Sequence, residues 1–193
     1  MTASPTVVAV CGSLRDASHT RDALGHALAA AEALDAETQL LDLREFDVPV
    51  FDADHREPGD VADLTRRIRG ADAVLLGTPV YHGSYSSALK TALDYCGFDE
   101  FDGTTVGLLA VGGGAFPVTA LEHLRSVCRS VNAWVLPHQA AIPHARRQFS
   151  DGDLVDEDLA DRVATLGERA VQYANIEPDP DTFESGENVG ADD

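Results

Sequence analysis

An apolar run, Val7 to Val10, breaks off at Gly12, and a long Ala/Leu-rich stretch of helical periodicity begins at Thr20. This order (a β-rich run, a small-residue loop, a helical pattern) constrains the fold most, because it recurs along the whole chain. Residues 6–11, 38–43, 73–77 and 105–111 read as strands, and 133–136 opens a fifth. Residues 20–34, 59–70, 86–96, 117–131 and 157–174 read as helices. In the first of these, Leu24, Ala27, Leu28 and Ala31 fall on one face. The second ends in Arg66, Arg67 and Arg69, as the helix macrodipole prefers. The run 73–77 is continuous and apolar, the pattern of a strand buried on both faces. Residues 44–57 form an irregular acidic connection, and no repeat or interdomain linker is visible. Strands alternating with helices predict an α/β open parallel sheet covered on both sides. Ligands in such sheets sit beyond the carboxyl ends of the strands, at the topological switch point. The loops after the first, third and fourth strands all fall on that edge.

The bulk properties narrow the classes of function. A chain of 193 residues predicts one domain, residues 1–176, followed by an acidic segment, 177–193, with no Lys or Arg and a composition that predicts disorder. Thirty-three acids against 14 bases give a net charge of −19, a field that repels nucleic acid and anionic membrane. No apolar run approaches the roughly 20 residues that span a bilayer, and the first residues lack a signal-like pattern, so a cytoplasmic location is expected. Cys11, Cys96 and Cys128 have no metal-ligand spacing and read as reduced thiols; no metal site is expected. The charge balance suggests a halophilic protein, adapted to a salt-rich cytoplasm; an ordinary acidic protein with a solubilising tail is the alternative.

Each of the three loops carries chemistry. In the first, Ser13, Ser18 and Thr20 supply hydroxyls around Arg15 at a helix start, a cradle for a phosphate monoester. The same residues also suit a capped helix start, with Ser18 or Thr20 as N-cap and Arg15 in solvent. Neither a Walker loop nor a dinucleotide Gly-x-Gly-x-x-Gly loop is present. Cys11 precedes Arg15 too closely to serve a phosphatase loop, and so reads as the buried end of the strand. In the second loop Pro79 stiffens the turn, Val80 and Tyr81 offer apolar and stacking area, His82 a donor, and Gly83 close backbone approach. Tyr81 in a core or interface, and His82 and Lys90 in solvent, fit the sequence as well. In the third, Gly112, Gly113 and Gly114 bare a backbone that suits a heterocycle edge or a flexible turn.

The Gly-Ser-Leu-Arg-x-x-Ser-x-Thr loop, the segment Thr-Pro-Val-Tyr-His-Gly-Ser-Tyr-Ser-Ser-Ala-Leu-Lys-Thr-Ala-Leu-Asp-Tyr and the glycine loop together resemble the NADPH-dependent FMN reductase family. Its azoreductases and quinone reductases are especially similar. The resemblance runs over about residues 6–142, with Phe116-Pro117 where some members have further glycines. It implies a flavodoxin-like three-layer sandwich, a five-stranded sheet in order 2-1-3-4-5, bound FMN, and NADPH or NADH as co-substrate. By position, Ser13, Arg15, Ser18 and Thr20 are expected to hold the FMN phosphate. Pro79, Val80, Tyr81, His82 and Gly83 would line the flavin ring, and Gly112, Gly113 and Gly114 would meet its pyrimidine edge. The implied reaction passes hydride from NAD(P)H to flavin N5 and on to a quinone, azo compound or free flavin. A flavodoxin-like electron carrier is the alternative. No acid–base pair is expected, and His82 is the one side chain offered as a donor to substrate. The resemblance also implies a homodimer or homotetramer, with the helix 86–96 suited to the interface.

Overall fold

The computed structural model describes residues 4–174, so the acidic segment 177–193 lies outside the described residues. In chain order the elements are β1 (Thr6–Cys11), α1 (His19–Glu32), β2 (Glu37–Asp42), α2 (Val61–Arg69), β3 (Ala73–Pro79), α3 (Ser87–Asp94), α4 (Phe98–Phe101), β4 (Thr105–Val111), α5 (Val118–Ser130), β5 (Trp134–Ile142), α6 (Ala145–Gln148), β6 (Phe149–Ser150), β7 (Asp153–Leu154) and α7 (Glu157–Gln172). Five strands form one parallel sheet in the order β2-β1-β3-β4-β5. This is the expected flavodoxin-like order.

The strand period of two divides the apolar residues between two layers. Val7, Ala9 and Cys11 face α1 and α7, whose Leu24, Ala27, Val163 and Leu166 close that side. Val8 and Val10 face the opposite layer, packed by Leu64 and Ile68 of α2, Leu89 of α3 and Leu121 and Leu124 of α5. β3 and β4 are apolar on both faces because both are covered, and their residues from Ala73 to Leu76 and from Val106 to Ala110 are buried. The chain steps from β1 outward to β2, then returns past β1 to β3. That reversal parts the β1 and β3 loops at the carboxyl edge of the sheet and opens a crevice there.

β5 runs past the expected opening at 133–136 and through Pro137 to Ile142. Its register against β4 jumps from Val106↔Val135 to Leu108↔Gln139. Proline has no N–H for the ladder, so it is accommodated in a bulge on an edge strand. Four short elements, α4, α6, β6 and β7, escape the periodicity of the sequence. α4 is a single turn whose Phe101 is 1% exposed, and β6 and β7 form a small antiparallel hairpin.

Candidate functional site

The β1 loop is locked before it reaches the crevice. The Gly12 N–H donates to the Gly77 carbonyl at 2.8 Å, and the Ser86 hydroxyl donates to the Gly12 carbonyl at 2.6 Å. A Cβ on Gly12 would stand 2.7 Å from Leu89 Cβ, so only glycine permits this closeness. Ser86 is the N-cap of α3 and accepts from the Leu89 N–H at 3.1 Å, while its own N–H donates to buried Thr78 at 2.9 Å. One serine therefore ties the first loop, the third strand and the third helix into one rigid corner. Sequence reading passed over Ser86 and Thr78, which look like ordinary helix-start and strand residues.

Beyond Gly12 the hydroxyls of Ser13, Ser18 and Thr20 are buried, each 3% exposed or less. Ser18 caps α1, accepting from the Arg21 N–H at 3.2 Å. The capped start is thus observed at Ser18, and it is compatible with the cradle reading, because a helix start leaves its first N–H groups without intrahelical acceptors. Arg15 is exposed and reaches the same cavity. The loop carbonyls are turned away and held from behind. Arg21 donates to the carbonyls of Asp16 and Arg15 at 3.0 and 2.8 Å, and Arg44 donates to that of Arg15 at 3.2 Å. Both guanidiniums are anchored on the nearly buried Asp42, at 2.8 and 3.3 Å.

The second loop closes on itself. Tyr81 and Ser84 exchange backbone hydrogen bonds of 3.0 and 3.1 Å around His82 at φ 50° and Gly83 at φ 79°. Two left-handed residues between paired strands make the turn type that matches strand twist. Gly83 is therefore required by backbone sign; a Cβ there would meet only the Thr119 hydroxyl, at 3.9 Å. Val80 is joined to the fourth strand through its N–H to the Val111 carbonyl at 2.9 Å. In the third loop Gly112 is bonded to Ile142 and Ala145, whereas Gly113 and Gly114 are solvent-exposed with open space at their Cα atoms.

Two adjoining cavities, which share Val80 and Gly113, receive all twelve residues expected from the sequence. The first, of about 550 Å³, takes Ser13, Arg15, Ser18, Thr20, Pro79, Val80, Tyr81 and Gly113. The second, of about 380 Å³, takes His82, Gly83, Gly112 and Gly114. Lys90 lines neither; it pairs with Asp94 on α3, so its being the single lysine has no counterpart in the site. Cys11 is fully buried, and burial pushes its thiol up, away from any nucleophilic role.

The structure adds a wall that sequence reading missed. His144, Ala145, Arg146 and Arg147, after β5, line the first cavity opposite the β1 loop. They are brought there by Ala145 N–H to Gly112 carbonyl at 3.0 Å, and by the His19 ring stacked on Phe149 at 4.5 Å. The sequence does hold one clue: Asp151-Gly152, both at positive φ, is a hairpin signal that turns the chain back toward α1. Among the described residues no Asp or Glu lines this cavity, although the chain has 33 of them. Buried hydroxyls, free helix N–H groups and guanidiniums make a donor set that fits a phosphate ester. The adjoining glycine backbone and the half-exposed Tyr81 ring fit a flat, hydrogen-bonding heterocycle.

Residues 5–147 match the family described as NADPH-dependent FMN reductase. The chain is 30% identical over 178 residues to an FMN-dependent NADPH-azoreductase of Staphylococcus aureus, covering 88% of this chain and 95% of that one. Among solved structures it is similar to a flavoenzyme NAD(P)H:(acceptor) oxidoreductase from Paracoccus denitrificans, with a TM-score of 0.73, 25% identity, and 88% and 97% of the two chains covered. An NADH:FMN oxidoreductase in its apo form shares the fold, with a TM-score of 0.75, 24% identity, and 91% and 92% covered.

Proposed function

Because the chain belongs to the NADPH-dependent FMN reductase family, we propose that its two adjoining cavities hold FMN and that it reduces an azo compound, a quinone or free flavin. As a member it is an FMN-dependent NAD(P)H oxidoreductase. The observation that carries the site assignment is the acid-free cavity at the switch point, walled by buried hydroxyls and arginines.

When bound, FMN supplies the hydride chemistry, taking hydride from the nicotinamide and delivering it to the acceptor. The residues of the chain bind and orient. Ser13, Ser18 and Thr20 donate hydroxyl hydrogen bonds to the phosphate, and Arg15 adds a charge-assisted one. Arg21, Asp42 and Arg44 keep the carbonyls of that loop out of the anion's way. Pro79, Val80, Tyr81, His82 and Gly83 lie along the ring. The free N–H groups of Gly113 and Gly114 would meet its pyrimidine edge, where donors stabilise the negative charge of the reduced form, while Gly112, its own N–H taken by the Ile142 carbonyl, anchors the loop beside them. His82 stands at the second cavity as a donor to the acceptor molecule. A homodimer or homotetramer belongs to the same proposal, supported by the exposed rings of Tyr81 at the first cavity and Phe116 at the second. No helix among the described residues is long and apolar enough to cross a membrane; a cytoplasmic location remains part of the proposal.

Fluorescence titration with FMN followed by anaerobic mixing with NADPH tests the reading. Quenching and rapid loss of the flavin absorbance are expected. Quenching without reduction would favour an electron carrier, and no quenching would overturn the site. In Arg15→Ala, loss of one charge-assisted phosphate contact worth about 1.5–3 kcal/mol should weaken FMN binding by about 10–150-fold. Unaltered affinity would mean that the phosphate lies elsewhere.

A further inference from the structure

The first cavity gathers more guanidiniums than one phosphate monoester calls for. Arg15, Arg146 and Arg147 all line the first cavity, together with His19 and His144. Among the described residues, the arginine ion pairs belong to Arg21, Arg44, Arg66, Arg67, Arg69 and Arg125. The three guanidiniums at the cavity have no carboxylate partner there, although acids outnumber bases more than twofold in the chain. Unpaired cations gathered on an acid-free surface are an anion site by their chemistry.

The two walls differ in a way that separates their ligands. The hydroxyls on the β1 side are almost wholly buried, whereas His144, Arg146 and Arg147 are exposed. Desolvated donors suit a group that is retained, because the donors have no water to return to. Exposed guanidiniums suit a group that arrives from solvent and leaves again within each turnover. The exposed wall is also fixed in place rather than trailing free. His144 sits in the left-handed region at φ 51°, its N–H bonded to the Gly114 carbonyl at 3.1 Å. The Val155 N–H closes the other end of the segment on the Gln148 carbonyl at 3.0 Å.

We infer that Arg146 and Arg147 form a second anion subsite, which takes the 2′-phosphate of NADPH and thereby sets the preference for NADPH over NADH. The inference rests on the FMN site proposed above. A ribose 2′-phosphate carries about −1.5 to −2 charges at neutral pH, as other phosphate monoesters do, and planar guanidiniums match its oxygens in pairs. NADH lacks that group and leaves the two arginines in water. Because the subsite is exposed, the preference weakens as salt rises and the Debye length falls to about 3 Å at 1 M.

The test is calorimetric titration of the FMN-loaded protein with adenosine 2′,5′-bisphosphate and with 5′-AMP, in the unaltered protein and in Arg146→Gln/Arg147→Gln. We expect the bisphosphate to bind the unaltered protein about tenfold more tightly or better, a charge-assisted margin. In the double variant that margin should shrink to about twofold, with the FMN dissociation constant unchanged and the KM for NADPH, not NADH, raised about tenfold. A margin that survives in the variant overturns the subsite. Loss of FMN affinity in the variant also overturns it, by assigning both arginines to the flavin phosphate. Failure of the unaltered protein to bind FMN at all is a separate result, one that strikes the parent reading.

Discussion

At the scale of single residues, two kinds of burial matter. Asp42 is 5% exposed and holds two arginines, which in turn hold two loop carbonyls. The β1 loop, proposed above as a phosphate cradle, is therefore shaped by side chains behind it, and Asp42 is their hub. In the cysteines burial outweighs the neighbouring charges and hydrogen bonds. Burial raises the thiols of Cys11 and Cys96 and pushes that of Cys128 up to about 12. A thiol in the unfolded chain ionises near pH 8.5. Their stabilising effect is thus complete below about pH 8.5 and is lost progressively as pH rises toward the folded values. The unfolding free energy from urea titration should decline above about pH 9, by up to about 1.4 kcal/mol per pH unit for each thiol. Cys128→Ala should flatten that decline, and an identical slope in the variant would show that another group causes it.

At the scale of elements, α1 and α7 approach so closely that a glycine is needed between them. A Cβ on Gly167 would stand 1.9 Å from the Ala27 carbonyl oxygen, so the two helices meet backbone against side-chain-free backbone. Gly167→Ala must push α7 off α1 and should cost about 1–3 kcal/mol or more, lowering the melting midpoint by about 2–4 °C per kcal/mol. Gly25→Ala is the control: a Cβ there meets nothing within 4 Å, on an exposed helical position. It should stabilise by about 0.5–1 kcal/mol. Equal effects from the two substitutions would mean that helix propensity, and not interhelical approach, decides both.

At the scale of the whole molecule, the net charge of −19 opposes compaction. Screening relieves that repulsion, since the Debye length shrinks from about 30 Å at 0.01 M salt to about 3 Å at 1 M. Raising KCl from 0.05 to 2 M should raise the melting midpoint by roughly 4–8 °C, equivalent to about 2 kcal/mol. A midpoint that stays constant would remove the argument for a protein adapted to high salt. The same field gives the acid-free cavity its meaning: a patch of unpaired arginine on a strongly negative body is where an anionic ligand can dock.

The period-two and helical patterns determined the five strands and five long helices by themselves, because burial of one face writes itself into consecutive residues. The gathering of the twelve candidate residues at one edge follows in the same way, since small-residue loops that follow strands must lie on one edge of a parallel sheet. What the sequence left open depends on partners far away along the chain. α4 is held by Arg69 of α2 bonded to Glu100 at 2.6 Å, and no local period announces such a turn. β5 crosses Pro137 because β4 tolerates a bulge opposite it. Arg146 and Arg147 carry no local signal of a site; the His19–Phe149 stack and the bonds to the glycine loop bring them to the cavity that Arg15 also lines. Periodicity reports which side of an element is buried; only tertiary packing decides which distant charges come to share one cavity.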